Sequence, residues 1–578
     1  MTQSWLAHIY STEQNTVRPS VNTTLPVQHR LNSMTVYATS DSHIHHWDTS
    51  TWTIVVISSS PIKETFVDDW QRNPTTSVRQ LRNEWILIAI DHTQARVWCG
   101  RDGLGFANAY WRTDGTEMWL SDSIATLNAT SNTPPTLAEE HLSEYLSFRY
   151  NHAPRTLYKD RFALIAGHFT IVKSGRTREE QWYKPDWYTL EQKIPSEREA
   201  KLEVDYLLRR SLEPHLFSQQ KFGVLLSGGL DSSAILYHAN QLGFQLDSFT
   251  VTLEGQGADE SPFAGRIAHL YNSPNQLLRL KSQDFIDALL RNAENVALPL
   301  PTPATAIQDR LCHFAGQWVD TLFSGDGGDE VFGGRSMATI ARNIRRSKAI
   351  NRLPRVTQLG LRKIGKRLQR GSFSAPHTQF GLSEGIGGSQ VFDPIARANL
   401  LQNPAFIRPN IRSRILTTLY QEIDSDPIND ILYVWQRGWL SEDSLFRFRE
   451  VSPNVRFPML NRELREYCAQ LPGHYKVRAQ GLDFHSKWLL RLTMKDRIPK
   501  RLLSRPKRTM MAPLDRWLQQ EGKNFLAQQI TEMTQQQNHL FIPNTLHKLY
   551  REHTSGEYDH GLRLWTLILF HLWHKNHL

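Results

Sequence analysis

Two textures of hydrophobic patterning divide the chain. Up to about residue 190, apolar residues come in short alternating or continuous runs rich in Trp, Thr and β-branched side chains. Trp52-Thr53-Ile54-Val55-Val56-Ile57, Trp85-Ile86-Leu87-Ile88-Ala89-Ile90 and Gly167-His168-Phe169-Thr170-Ile171-Val172 read as strands. They are too short and too β-branched for helices. Asp102-Gly103 and Asp114-Gly115 supply turn signals. The pattern predicts a β-rich front domain over residues 1–190.

Lys184-Pro185-Asp186 and Ile194-Pro195 break the chain. Ser196 and Glu199 then have capping-box spacing, which predicts a helix through about Leu212. Phe222 to Leu226 is a short apolar run, hence a buried strand, followed by a Gly-rich loop and a helix from about Ser232 to Leu242. Ser248–Leu253 and Val319–Phe323 read as further strands. Strand, loop, helix, strand implies a parallel sheet with right-handed crossovers, whose ligands sit at the carboxyl ends of the strands. From about 400 onward helical spacing dominates, ending in an aromatic helix over Leu562–Trp573. The fold class is therefore α/β: a β-rich domain, then a parallel-sheet domain over 196–578 with a helical C-terminal part.

Composition narrows the class. With 578 residues and 40% hydrophobic content, the chain can build more than one core. Mean hydropathy is −0.47, and no apolar run approaches the ~18–20 residues that span a bilayer. The N-terminus lacks the layout of a secretory signal, so a cytoplasmic protein with no membrane partner is expected. Cys99, Cys312 and Cys468 lie far apart and form no CxxC pair, which argues against a disulfide framework or zinc site. The net charge of +10 is local: Arg342 to Arg370 holds eleven Lys/Arg and no Asp/Glu. Such a stripe reads as a solvated insertion, or as a surface that steers an acidic substrate. It lacks the basic–aromatic interleaving of RNA binders, so nucleic acid is not an expected partner. Oligomeric state cannot be read from the sequence.

Two Gly-rich loops carry the chemistry. Ser227-Gly228-Gly229-Leu230-Asp231-Ser232-Ser233 follows a strand and opens a helix. Its glycines let backbone N–H groups approach phosphate oxygens, the helix N-terminus adds partial positive charge, and the serine hydroxyls donate. Asp231 has the wrong charge for phosphate and suits a Mg²⁺ ion that bridges phosphates. No GxxxxGK[ST] segment occurs, so a Walker loop is excluded. Ser324-Gly325-Asp326-Gly327-Gly328-Asp329-Glu330-Val331-Phe332-Gly333-Gly334 also follows a strand and offers a second metal ligand and an acid or base.

Together these loops resemble the signature of the asparagine synthetase family, whose synthetase domain is of the N-type ATP pyrophosphatase (PP-loop) kind. Val455-Arg456-Phe457-Pro458-Met459-Leu460 is similar to the family's VRxPFL, Ser486-Lys487-Trp488-Leu489-Leu490-Arg491 to its KxxLR helix, and Ile498-Pro499 with Arg505-Pro506-Lys507 to its LP…RPK segment. In front, Arg101-Asp102-Gly103-Leu104-Gly105 and Leu120-Ser121-Asp122-Ser123 resemble parts of the family's glutaminase domain, an N-terminal-nucleophile (Ntn) hydrolase fold. The resemblance implies that ATP and Mg²⁺ are used to adenylate a carboxylate, releasing pyrophosphate, before an amine displaces AMP. It implies that Asp231 and Asp329 hold Mg²⁺, that residues 227–233 hold the pyrophosphate portion, and that Leu225 belongs to the same nucleotide site. Backbone around Val251 and Gly325 would contact adenosine, and Lys487 would stabilise charge on the leaving pyrophosphate or the tetrahedral intermediate.

The front domain departs from the glutamine-using pattern. Position 2 is Thr2 where those members carry a Cys nucleophile, and segments resembling RGPD or NGEIYN are absent. A hydroxyl is a far weaker nucleophile than a thiolate, so a relic front domain is expected. That loss resembles β-lactam synthetase, carbapenam synthetase and the lasso-peptide cyclases, which close a ring with an amine already in the substrate. Arg449-Glu450-Val451-Ser452-Pro453-Asn454 is shortened against the asparagine synthetase pattern, and the last Asp of the VRxPFLD segment is Asn461. Glu450 takes the place of the glutamate in the acid/base pair of β-lactam synthetase, with Asp326 in the partner's place. The expected partners are a carboxylate substrate, in the cyclase branch a precursor peptide and its processing protease. The alternatives are an asparagine synthetase fed by ammonia and a non-catalytic ATP-binding regulator.

Overall fold

The computed structural model describes residues 4–10, 25–39, 44–186, 193–216, 220–254, 259–296, 304–334, 337–352, 391–407, 426–444, 454–503 and 514–578, apart from a few single positions. Strands β1 (Trp5–Ile9), β2 (Val27–Leu31), β3 (Met34–Ala38), β4 (Ile44–Asp48), β5 (Trp52–Ser58) and β6 (Trp85–Asp91) open the chain. β7 (Arg96–Arg101), β8 (Tyr110–Thr113), β9 (Met118–Ser121), β10 (Phe162–Ala163), β11 (His168–Lys173) and β12 (Arg176–Gln181) follow. They form two antiparallel six-stranded sheets, ordered β10-β8-β9-β1-β3-β2 and β12-β11-β7-β6-β5-β4. One apolar core, including Trp5, Ala7 and Val36 from the first and Val55, Ile88 and Cys99 from the second, lies between them. Helices Phe66–Arg72 and Pro74–Arg79 cover the outer face of the second sheet through Phe66, Trp70 and Val78. Helix Glu139–Phe148 covers the first, and its Tyr145 hydroxyl donates to the Thr566 carbonyl of the C-terminal helix at 3.1 Å. Both sheets are thus buried on two faces, which is why β6 reads as an unbroken apolar run.

After the Pro-containing break, helix Glu197–Leu212 begins with a complete capping box. The Ser196 hydroxyl accepts from the Glu199 N–H at 3.2 Å, and the Glu199 carboxylate accepts from the Ser196 N–H at 2.7 Å. The parallel sheet consists of β13 (Phe222–Leu225), β14 (Asp247–Leu253), β15 (Asn275–Leu280), β16 (Thr321–Phe323) and β17 (Val455–Arg456), ordered β15-β14-β13-β16-β17. Every pairing in it is parallel. A small hairpin, β18 (Arg478–Gln480) with β19 (Asp483–His485), follows. The last helix runs Gly561–His577, one residue earlier and four later than the aromatic pattern predicts. Among the described residues, no helix is long and apolar enough to cross a membrane.

Part of the basic stretch forms the end of helix Met337–Asn351, and the Arg345 guanidinium donates to the Gly481 carbonyl of the hairpin at 3.1 Å. Residues 355–370 of that stretch lie outside the described residues.

Candidate active site

Strand order reverses its direction of growth at β13: β14 and β15 add on one side, β16 and β17 on the other. In a sheet of this kind the carboxyl ends of β13 and β16, on either side of that switch, are where a ligand crevice is expected. Both Gly-rich loops leave there.

In the first loop Gly228 sits at φ +67°, and a Cβ on it would come within 2.6 Å of the Ala264 nitrogen. Glycine is required there on both counts. Gly229 caps helix Leu230–Gln241, so the helix starts two residues earlier than predicted and Asp231, Ser232 and Ser233 fall in its first turn. The reason is local: the Ser233 N–H already bonds the Gly229 carbonyl at 3.1 Å, and the Ser233 hydroxyl donates to the same oxygen at 2.7 Å. Ser227 is exposed at the mouth, its hydroxyl accepting from the Gly229 N–H at 3.2 Å. Leu225 ends β13 and pairs with Phe249; Val251, half-buried on β14, pairs with Leu278 of β15. The two therefore stand on neighbouring strands beside the loop.

The second loop is anchored by β17, whose Arg456 carbonyl accepts the Ser324 N–H at 2.9 Å. Gly327, at φ +91°, starts the short helix Gly328–Phe332, which places Asp329 in its first turn. The two loops touch through glycine: a Cβ on Gly325 would lie 2.9 Å from the Asp231 Cβ, and one on Gly328 would lie 2.4 Å from Asp231 Oδ1. Asp326 accepts from the Ser324 hydroxyl at 2.5 Å. Glu450, its expected acid/base partner, lies outside the described residues.

Lys487 comes from a third segment. The sequence places it within a helix; in the structure it precedes helix Trp488–Thr493 as the capping residue, at φ +55°. Its backbone N–H bonds the Gly333 carbonyl at 3.2 Å, which ties it to the end of the second loop. The buried ammonium contacts Asp231 Oδ2 and lies 2.7 Å from Asp329 Oδ1. A Cβ on Gly334 would fall 1.9 Å from that Asp329 oxygen and 2.4 Å from Lys487 Cε. Asp231 Oδ1 is buried without a hydrogen-bond partner.

Arg491 was not assigned a role by the sequence pattern, although its spacing of four from Lys487 marks the same helix face. Its Nε donates to the Ser486 carbonyl at 2.7 Å, and another guanidinium nitrogen bonds the Leu503 carbonyl, fixing the peptide before Lys487. Burial lowers its pKa while the Asp231 charge opposes that shift.

The front domain shows the opposite arrangement. Its single cysteine, Cys99 on β7, is fully buried, and burial pushes its thiol far above the ordinary range. Thr2 lies outside the described residues.

Residues 203–575 match the family described as Asparagine synthase, and residues 56–183 match a Glutamine amidotransferase domain. The chain belongs to the asparagine synthase family. It is thereby an ATP-dependent, AMP-forming carbon–nitrogen ligase. It is 23% identical over 507 residues to the asparagine synthetase [glutamine-hydrolyzing] 1 of Bacillus subtilis, covering 86% of this chain and 78% of that one. The root asparagine synthetase [glutamine-hydrolyzing] of Pisum sativum is 28% identical over 270 residues, 43% of this chain and 39% of its own. Among solved structures, an NMN synthetase from Francisella tularensis aligns with 24% of this chain and 58% of its own, at 16% identity and a TM-score of 0.18. A likeness that small adds nothing to the family assignment.

The site's fit to Mg²⁺ rests on its own donors. Two carboxylates converge on one positive centre, and one Asp231 oxygen is left unused. Among the described residues no group of three or more His, Cys, Asp or Glu forms a metal cage. Two carboxylates suit Mg²⁺, which takes its other ligands from phosphates and water.

Proposed function

We propose that the chain is a glutaminase-free amide synthetase that activates a carboxylate with ATP and passes the acyl group to an amine of the same substrate. In this reading it is a lactam- or macrolactam-forming cyclase of the lasso-peptide type, acting in the cytoplasm where ATP is supplied. The observation that carries the ATP chemistry is the clamp of Asp231, Asp329 and Lys487 across the crevice between β13 and β16. A carboxylate oxygen attacks the α-phosphorus, the α–β P–O bond breaks, and pyrophosphate leaves with the bonding electrons. The amine then attacks the acyl carbon, loses a proton, and AMP departs.

Residues 227–233 would cradle the pyrophosphate portion with helix-terminal N–H groups. Asp231 and Asp329 would hold Mg²⁺, which neutralises charge on the phosphates. Lys487, freed from the carboxylates, would face the negative charge that develops on pyrophosphate or the tetrahedral intermediate. Gly325 and Val251 would contact adenosine. Asp326, with Glu450, would take the amine proton.

Ring closure within one substrate is favoured because the front domain's only thiol is buried inside a sheet sandwich. The substrate would be a precursor peptide delivered by its processing protease, and the basic residues from Arg342 onward would steer it.

The deciding test supplies ATP, Mg²⁺ and either a linear peptide bearing a side-chain carboxylate or aspartate with ammonia. AMP and pyrophosphate formed only with the peptide, with loss of one water from its mass, is the expected result. Asparagine formed from aspartate would install the second reading, an ammonia-fed asparagine synthetase, which the names of the relatives favour. ADP and phosphate would overturn both.

A further inference from the structure

A cavity of about 340 Å³ beside β17 is lined by residues from both halves of the molecule. Its size is that of a site for a small organic ligand. One wall comes from residues 79–106 and 182–183 of the front domain, the other from 210–215 and 456–466. Neither the glycine loops nor Lys487 line it.

Six arginines line this cavity, Arg79, Arg82, Arg210, Arg456, Arg462 and Arg465, against four carboxylates. The guanidiniums outnumber the carboxylates by two, and the carboxylates, Glu84 included, are already engaged. Asp102 accepts three backbone N–H groups, from Leu104, Phe106 and Ala107 at 2.8–3.1 Å. Glu463 serves two guanidiniums at once, Arg82 at 3.0 Å and Arg210 at 3.8 Å, and Glu466 holds Arg462 at 2.7 Å. The cap of helix Arg462–Ala469, where aspartate would serve equally well, is the uncharged Asn461, which also lines the cavity. His215 in the same wall is held neutral down to about 4 by burial and by the charge of Arg456.

Aromatic rings complete the lining: Trp85, Phe106, Trp182, Tyr183 and Phe457, with the Arg462 guanidinium 5.2 Å above the Tyr183 ring. Excess guanidinium and flat apolar walls together describe a receptor for a planar anion.

The cavity wall also supports the catalytic loop. Leu460 lines the cavity, and its side chain fills the space a Cβ would need on Gly327. Arg456, in the same wall, holds the first residue of that loop through its carbonyl.

We propose that this interdomain cavity binds a small aromatic anion, a ring bearing a carboxylate or phosphate group, and that its occupancy acts on the ATP site through Leu460 and β17. The front domain would then serve as one half of an effector site. This assignment does not depend on which carboxylate and amine the enzyme joins.

Calorimetric titration of the full chain at low salt tests it, with indole-3-acetate and phenyl phosphate as probes and indole as the uncharged control. At least one anion is expected to bind and indole to fail, and the two arms tell carboxylate from phosphate. Arg82→Gln with Arg462→Gln should weaken binding at least tenfold. Arg82 is largely exposed, so the single Arg82→Gln variant carries the test if the double variant does not fold. A bound anion should change the affinity for α,β-methylene-ATP at least threefold, and the nucleotide should change the anion's affinity by the same factor. Failure of both anions to bind, equal binding by the arginine variants, outright displacement by the nucleotide analogue, or an unchanged nucleotide affinity would each overturn the proposal.

Discussion

Asp102 and Asp231 are both buried, and both follow a strand with glycines close by in sequence. Their surroundings differ in one respect. Asp102 Oδ1 accepts N–H groups from Leu104 and Phe106, and Oδ2 accepts from Ala107 at 2.8 Å, so its charge is matched by the turn it closes. Asp231 gives one oxygen to Lys487 and leaves the other buried with no partner. A buried carboxylate held by three donors stabilises its loop. One left half-served costs stability, and the imbalance suits it to a ligand. Glu144 of the front domain repeats the first case, its buried carboxylate matched by His152 and Arg155, whereas Asp231 keeps one oxygen without a partner.

Removing Lys487 should have the largest effect. Lys487→Ala leaves Asp231 and Asp329 close together without their shared cation, and losing one partner of a buried ion pair costs about 3–5 kcal/mol. Denaturant midpoints should fall accordingly, and added Mg²⁺ should restore part of the loss. No such recovery would mean that the pair has no affinity for a divalent cation.

Next come the aspartates themselves. Asp231→Asn should lower the rate of pyrophosphate release by about a hundredfold or more with a smaller loss of stability than Lys487→Ala, because Lys487 keeps Asp329 as a partner. Asp102→Asn should act mainly on stability, costing about 1–3 kcal/mol with a rate change of only a few-fold. Parallel measurement of both properties in both variants checks the contrast; if the two fall together in each, it does not hold.

Acid sharpens the comparison from the front domain's side. Burial alone would raise the pKa of Glu144, but hydrogen bonds from His152 Nδ1 at 2.9 Å and Arg155 Nε at 2.8 Å outweigh it and hold the carboxyl at about 2. A depressed folded-state pKa gives stability that is full above the unfolded value and is lost as pH falls through it toward 2. That contribution is on the order of 3 kcal/mol. Glu144→Gln should therefore lower stability at pH 7 and flatten its decline between about pH 5 and 2, as followed by circular dichroism.

The smallest effect belongs to the joint between the halves. Ser196→Ala removes the cap of helix Glu197–Leu212 and should cost about 1 kcal/mol, with kcat unchanged. A drop in kcat would show that the helix start positions the site.

Local pattern was enough to read much of this molecule. The strands at Trp52, Trp85 and Phe222 and the capping box at Ser196 follow from side-chain alternation and hydrogen-bonding groups a few residues apart. The two loops were legible because glycine spacing beside acidic residues has few other uses. Less legible was how tightly they interlock: Gly325 and Gly328 are glycine because Asp231, about a hundred positions away, occupies the space of their Cβ atoms. Lys487 looked like a helix residue because periodicity cannot see the left-handed φ that the Gly333 contact imposes. The arginine-lined cavity was invisible, since its walls come from five separate stretches of chain that become neighbours only when the front domain lies against β17. The sequence by itself determined the element types, the fold class and the two phosphate-type loops, because those depend on residues near one another along the chain. The tertiary structure decided which carboxylates share Lys487, which oxygen is left without a partner and where positive charge collects, because those depend on distances that chain topology alone brings about.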